Sequence, residues 1–105
     1  MISLAERKKR APLHLGVDVS AEDAAGVSFT DETRSLNVSG GGICFETRRH
    51  LVVGSRLTLR IDLPAKIRRY FGGKSSYRVR AIVCRVEHFE GAQASRVGAR
   101  FIAPL

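Results

Sequence analysis

Arg56-Leu57-Thr58-Leu59-Arg60-Ile61-Asp62 carries an aliphatic side chain at every second position and a polar or charged one between. Successive side chains of a strand point to opposite faces, so this run reads as a strand with one face in a core and one in water. The same alternation appears in Val27-Ser28-Phe29-Thr30 and in Ile43-Cys44-Phe45-Glu46-Thr47. Turn-forming clusters separate the runs: Asp23-Ala24-Ala25-Gly26, Gly40-Gly41-Gly42, Val53-Gly54-Ser55, Gly72-Gly73 and Glu90-Gly91. Six strands are predicted, near residues 13–20, 27–38, 42–48, 55–62, 77–89 and 95–103. Short, evenly spaced strands without a long helix predict an all-β fold, a small six-stranded antiparallel β-barrel or a sandwich.

In a barrel this small, one alternating set of side chains fills the interior. That set is Leu15, Val17, Val19, Phe29, Ile43, Phe45, Leu57, Leu59, Ile61, Val79, Ala81, Val83, Val97, Ala99 and Phe101. Two segments depart from the pattern. Ile82-Val83-Cys84-Arg85-Val86 breaks the alternation and predicts a bulge or a covered face. Ile67, Tyr70 and Phe71 fall at helical spacing between Pro64 and Gly72, which predicts a short helical turn near residues 64–72 packed on the barrel.

At 105 residues the chain is long enough for one modest core and too short for two. It has no run of roughly 18 apolar residues and no apolar leader after Met1, so a cytoplasmic protein without a membrane span is expected. Cys44 and Cys84 lack metal-type spacing and read as free thiols in a reducing compartment, although adjacent strands would permit a disulfide. His14, His50 and His88 are scattered. No metal site, cofactor, phosphate loop or nucleophile–base pair is legible, and a non-enzyme is expected.

Eighteen Lys and Arg against ten Asp and Glu give a formal charge of +8, unevenly placed. Residues 7–10 are all basic, and Lys66, Arg68, Arg69, Lys74, Arg78 and Arg80 form a second basic run without an acid. Such charge attracts phosphates of any kind. The second run reads as a solvated face or as a partner surface. Five Phe and two Tyr leave few rings for stacking bases, so a nucleic-acid module is the weakest functional reading.

Two motifs carry the candidate chemistry. Asn37-Val38-Ser39-Gly40-Gly41-Gly42 sits between two strand-like runs, where a short amide, a hydroxyl and three glycines make a tight turn with approachable backbone N–H groups. Its plain reading is a hairpin whose Asn37 and Ser39 bond their own backbone. Arg7-Lys8-Lys9-Arg10 lies just ahead of the first strand-like run, and arginine forks grip phosphate and stack on bases.

A basic arm followed by Asn-x-Ser-x-x-Gly resembles the PilZ domain of bacterial cyclic di-GMP receptors, and the resemblance extends through Gly54-Ser55-Arg56 to Val97-Gly98-Ala99-Arg100-Phe101. It implies an arm over residues 1–12, a PilZ-like barrel over 13–105, and ligand contacts from Arg7, Lys8, Lys9, Arg10, Asn37, Ser39, Gly41 and Gly42. One spacing departs from the family. Its two arm arginines have three residues between them, whereas only Lys8 and Lys9 separate Arg7 from Arg10, and Glu6 occupies the fourth position back. Arg10 keeps the family's place relative to Ala11-Pro12-Leu13, so it is expected to contribute more than Arg7. The implied function is a cyclic di-GMP receptor in which ligand orders the arm against the barrel, signalling to a protein partner. The alternative is an adaptor on the same fold that no longer binds the nucleotide. Many such domains carry a helix after the last strand; the sequence runs only to Pro104-Leu105, which leaves an open barrel end or a homodimer contact in its place.

Overall fold

Six antiparallel strands close into a barrel in the computed structural model, which describes residues 13–105. They are β1 (Gly16–Glu22), β2 (Ser28–Val38), β3 (Gly42–Thr47), β4 (Arg56–Asp62), β5 (Ser76–Glu87) and β6 (Ser95–Pro104). The order around the wall is β1-β2-β3-β6-β5-β4, with β1 pairing β4 to close it. The alternating run of β4 therefore meets β1 on one side and β5 on the other, in the registers Leu59↔Val19 and Leu59↔Val79. Closure gives every strand a partner on both sides over part of its length, although β2 meets β3 only through Ser35–Val38.

Leu59, Val79, Ile43, Phe45, Ala81 and Val97 are completely buried at the centre of the core. Of the expected interior set, only Phe101 is half-buried instead. Its ring meets Tyr77 edge-on at 6.2 Å, beyond a register shift between Arg80 and Ala81. A second shift, between Val83 and Arg85, is the irregularity that Ile82–Val86 predicts. Leu51, Leu63, Val38 and Cys44 join the buried residues without a signal in the alternation.

The segment after β4 is a 3₁₀ helix, Ala65–Phe71, following Pro64 and ended by Gly72 in the left-handed conformation at φ 69°. Without an acidic first turn or a side-chain cap it stays short and buries none of its residues. Ile67 packs on the core and Phe71 on Tyr77, but Tyr70 is exposed, so the expected apolar trio divides. Cys44 and Cys84 are free thiols on β3 and β5, and β6 stands between those strands. No helix among the described residues is long and apolar enough to cross a membrane.

Candidate functional site

Strand β2 reaches the Asn-x-Ser-x-x-Gly turn through a bulge. Ser35 pairs with Phe45 and Asn37 with Cys44, leaving Leu36 as the extra residue. A bulge bends its strand and re-aims the side chains that follow, here Asn37 to Ser39. Beyond it the turn is self-bonded. The Ser39 N–H donates to the Gly42 carbonyl at 2.9 Å, and Ser39 Oγ accepts the Gly41 N–H at 3.2 Å. Two of the N–H groups expected to be bare are thus engaged, and Ser39, expected on an exposed turn, is buried at 8% exposure. Its hydroxyl pins the turn, as the plain hairpin reading requires. Asn37 is half-buried at the end of the strand.

The two adjacent glycines serve different ends. A Cβ on Gly41 would meet nothing within 4 Å, so this residue leaves open space at the surface. A Cβ on Gly42 would collide with the Ala99 carbonyl oxygen of β6. Gly42 is therefore dictated by the approach of β3 to β6 rather than by an unusual backbone angle. The Gly41 carbonyl adds a bond from the Phe101 N–H at 2.9 Å, fastening the turn to the last strand.

Register then assembles the outer face. Ile43, Phe45, Val97 and Ala99 point into the core, so Cys44, Gly98 and Arg100 lie on the outer side of their strands. Asn37, Cys44, Gly98 and Arg85 form one cross-strand row, and Gly42, Arg100 and Ile82 the next. Arg85 lies across Gly98, with a guanidinium nitrogen 3.5 Å from where a Cβ would be. Small side chains thus occupy the middle of a strip three inter-strand steps wide, about 14 Å. An amide stands at one end and a guanidinium at the other. The centre is covered, since Cys44 and Gly98 are buried and Arg85 lies over Gly98. The rim carries Arg85, which also pairs with Glu87 at 3.4 Å, and the exposed Arg100, forks of the kind that grip phosphate. Arg85, Gly98 and Arg100 were not singled out as site residues from the sequence; a glycine inside the last strand was the available signal.

Ser35 is the other residue the sequence does not flag. It is completely buried, and its hydroxyl donates to the Leu13 carbonyl while accepting the Leu15 N–H at 2.8 Å. The Ser35 N–H donates to the Leu15 carbonyl at 2.9 Å, and His14 Nδ1 lies 3.1 Å from the Ser35 carbonyl. One side chain thereby ties the start of the described chain to β2, two residues before Asn37. A hydroxyl on the inward register of Phe29 was its only trace in the sequence. Arg7, Lys8, Lys9 and Arg10 lie outside the described residues.

Some charges elsewhere are paired. Arg49 grips Asp31 with two bonds of 2.7 and 2.9 Å and lies 4.6 Å over the Phe29 ring. The Arg49 fork holds the Asp31 carboxyl below its ordinary value and is itself raised. Arg60 bridges Asp18 and Asp62, and its hydrogen bond to Asp18 raises it in turn. Among the described residues, no acid pairs with Arg100.

A PilZ domain model matches residues 5–105. The Bacillus subtilis inhibitor of motility (MotI/DgrA) superposes with a TM-score of 0.66 at 21% identity, over 91% of this chain and 42% of that one. The PilZ domain with c-di-GMP of YcgR from Escherichia coli superposes with a TM-score of 0.54 at 13% identity, over 91% of this chain and 78% of that one. The chain thus spans less than half the length of the MotI structure. No curated protein is significantly similar to it in sequence. With a family model over nearly its whole length and the barrel and bulged Asn37–Gly42 turn in place, the chain belongs to the PilZ domain family.

Proposed function

We propose that this domain is a cytoplasmic, non-catalytic receptor for cyclic di-GMP, in which an arm over residues 1–12 closes on a barrel over 13–105. The observation that carries the reading is the tie from Ser35 to Leu13 and Leu15, which holds the start of the described chain beside the strand bearing Asn37 and Ser39. Arg10 is three residues before Leu13. A chain advances at most about 3.6 Å per residue, so its Cα stays within roughly 11 Å of Leu13. An arginine side chain adds several more, which brings its fork within range of the Asn37–Cys44–Gly98–Arg85 strip. A dinucleotide laid on that strip would meet Arg100 and Arg85 from the barrel and Arg7, Lys8, Lys9 and Arg10 from the arm. Its two phosphates offset the repulsion among the four arm cations, so ligand favours the closed arrangement, and a protein partner senses the closed arm. Asn37 and the exposed Gly41 serve the base edge; Ser39 and Gly42 hold the turn that presents them.

The engaged Ser39 hydroxyl and the shortened Arg7–Arg10 spacing favour a second reading, an adaptor on this fold that binds no nucleotide. Isothermal titration with cyclic di-GMP, with GTP and cyclic GMP as controls, separates the two. The receptor gives micromolar affinity or better, about −8 kcal/mol, for the cyclic dinucleotide alone. Arg10→Ala weakens it roughly tenfold, the worth of one charge-assisted bond, and more than Arg7→Ala does. No heat at a hundredfold higher ligand concentration selects the adaptor.

A further inference from the structure

The barrel is electrically lopsided. Asp18, Glu22, Asp23, Asp31 and Glu32 lie on β1, β2 and the turn between them, whereas β5 stands three strands from β2 around the wall. On the β4–β5–β6 side, cross-strand register lines up Arg56, Ile82 and Arg100 in one row. The next brings Arg80 between Thr58 and Ala103. The shift between Arg80 and Ala81 leaves Ile102 as the extra residue of β6, 48% exposed beside Arg80. Arg78 follows, opposite Arg60. Arg60 is neutralised by Asp18 and Asp62, but Arg56, Arg78, Arg80 and Arg100 have no carboxylate partner among the described residues. Like charges packed on one rigid wall repel, and a barrel that holds them there gains nothing from them alone.

We propose that this wall is a docking surface for an acidic, partly apolar segment of another protein, with Ile82 and Ile102 as its apolar centre and the four arginines as its rim. Arginine beside the exposed Ile102 and the half-buried Ile82 is the composition of a protein interface, where planar forks pair bidentately with carboxylates. Nucleic acid fits less well because the nearby rings are taken: Tyr77 packs between Phe71 and Phe101, and Arg69 covers Tyr70. A bilayer fits less well because the convex side of a closed barrel presents only a line of charges to a plane. The wall borders the nucleotide strip at Arg100, but its use does not depend on nucleotide binding.

The test is a fluorescence titration of the whole chain, without nucleotide, using a labelled synthetic peptide of alternating glutamates and leucine pairs. Poly-L-glutamate, phosphatidylglycerol vesicles and poly-uridylate are run beside it. The peptide is expected to bind tightest of the four. Arg78→Glu with Arg80→Glu should weaken it about tenfold or more, while Arg34→Glu with Arg48→Glu, an equal charge change elsewhere, should alter it by no more than about twofold. Ile102→Ser, which leaves the charge alone, should weaken the peptide several-fold and leave poly-L-glutamate unchanged. Melting curves identify any variant that does not fold, and Ile102→Ser carries the test if the double reversal fails. Equal losses from the two charge reversals, no loss from Ile102→Ser, or tighter binding of vesicles or poly-uridylate would each overturn the proposal. A chain that ignores cyclic di-GMP yet passes this test refutes the receptor and leaves the docking wall standing.

Discussion

Two seams of the same barrel use the same residue types for opposite purposes. Along β1–β4, Arg60 sits between Asp18 and Asp62, and Gly16 lies under the Asp62 carboxylate, 2.7 Å from where a Cβ would be. Along β3–β6, Arg100 faces Gly42 without an acid, and Gly42 lies under the Ala99 carbonyl. At the first seam the cation is committed to carboxylates and the glycine's neighbour is a flexible side-chain end. At the second the cation is left for an outside anion and the glycine's neighbour is rigid backbone. The difference lies in Arg100, which has no acid among the described residues; Gly42 answers the close approach of β3 to β6, and Arg96 still pairs with Glu46 across the same seam.

The largest test of that contrast is a pair of glycine substitutions. Gly42→Val must force β3 away from β6 and put a branched side chain against backbone, so we expect a loss of about 3 kcal/mol or more, enough to unfold a marginal domain. Gly16→Ala only pushes aside the Asp62 carboxylate and should cost no more than about 1 kcal/mol. Denaturant midpoints measure both. Equal losses would mean that the two glycines are equivalent and that the seam carries no special constraint.

Ser35→Ala comes next. It strands the buried Leu15 N–H, worth about 1–3 kcal/mol when left unsatisfied, and frees the part-buried Leu13 carbonyl, so a loss of roughly 2 kcal/mol is expected. Amide exchange at Leu15 should accelerate beyond what global unfolding explains. If this tie positions the arm, cyclic di-GMP affinity falls in the folded fraction as well. Intact affinity beside fast Leu15 exchange would reduce Ser35 to a core residue.

How much of this was legible follows from the range of each signal. The strand alternation is local, so Arg56–Asp62 announced β4 and the β4 and β5 core residues were named correctly. The short polar–glycine motif is also local, and it located the turn. What the sequence hides is register. That Gly98 lies opposite Cys44 and beneath Arg85, or that Arg100 faces Gly42, depends on pairing strands far apart in the chain. Ser35 was hidden for another reason. A serine inside an alternating run resembles a surface residue until the segment it bonds, Leu13 to Leu15, is brought against it.

Arginine substitutions sharpen the comparison more gently. Arg100→Ala should weaken cyclic di-GMP by roughly tenfold if its fork meets phosphate, with little change in melting. Arg60→Ala should do the reverse, leaving ligand affinity alone and costing at most about 1 kcal/mol, because its pairs are solvent-exposed. Were Arg60→Ala to harm binding as much as Arg100→Ala, the ligand would be reading the overall charge of the barrel rather than the β3–β6 strip.

The smallest expected effect comes from pH. The Arg49 fork lowers the Asp31 carboxyl below its ordinary value of 3.8, so the folded state holds the ionised form more strongly than the unfolded chain does. The contribution is therefore fully present above the unfolded value and is lost as pH falls through the lower folded one. Because both side chains are more than one-third exposed, at 39% and 36%, solvent screens most of it. Between neutrality and pH 5 the pair should leave stability unchanged; below about pH 4 the wild type should lose stability faster than Asp31→Asn, which has no carboxylate to protonate. Urea midpoints across that range make the comparison, with Arg49→Gln as the partner control. Identical acid slopes for wild type and Asp31→Asn would show that the β2 ion pair is bonded but energetically silent. Nucleotide affinity should be indifferent to Asp31→Asn at neutral pH, since Asp31 lies outside the Asn37–Gly98 strip. A drop there would extend the functional surface along β2 from Asn37 to Asp31 and dissolve the contrast between Arg60, committed to carboxylates, and Arg100, left for a ligand.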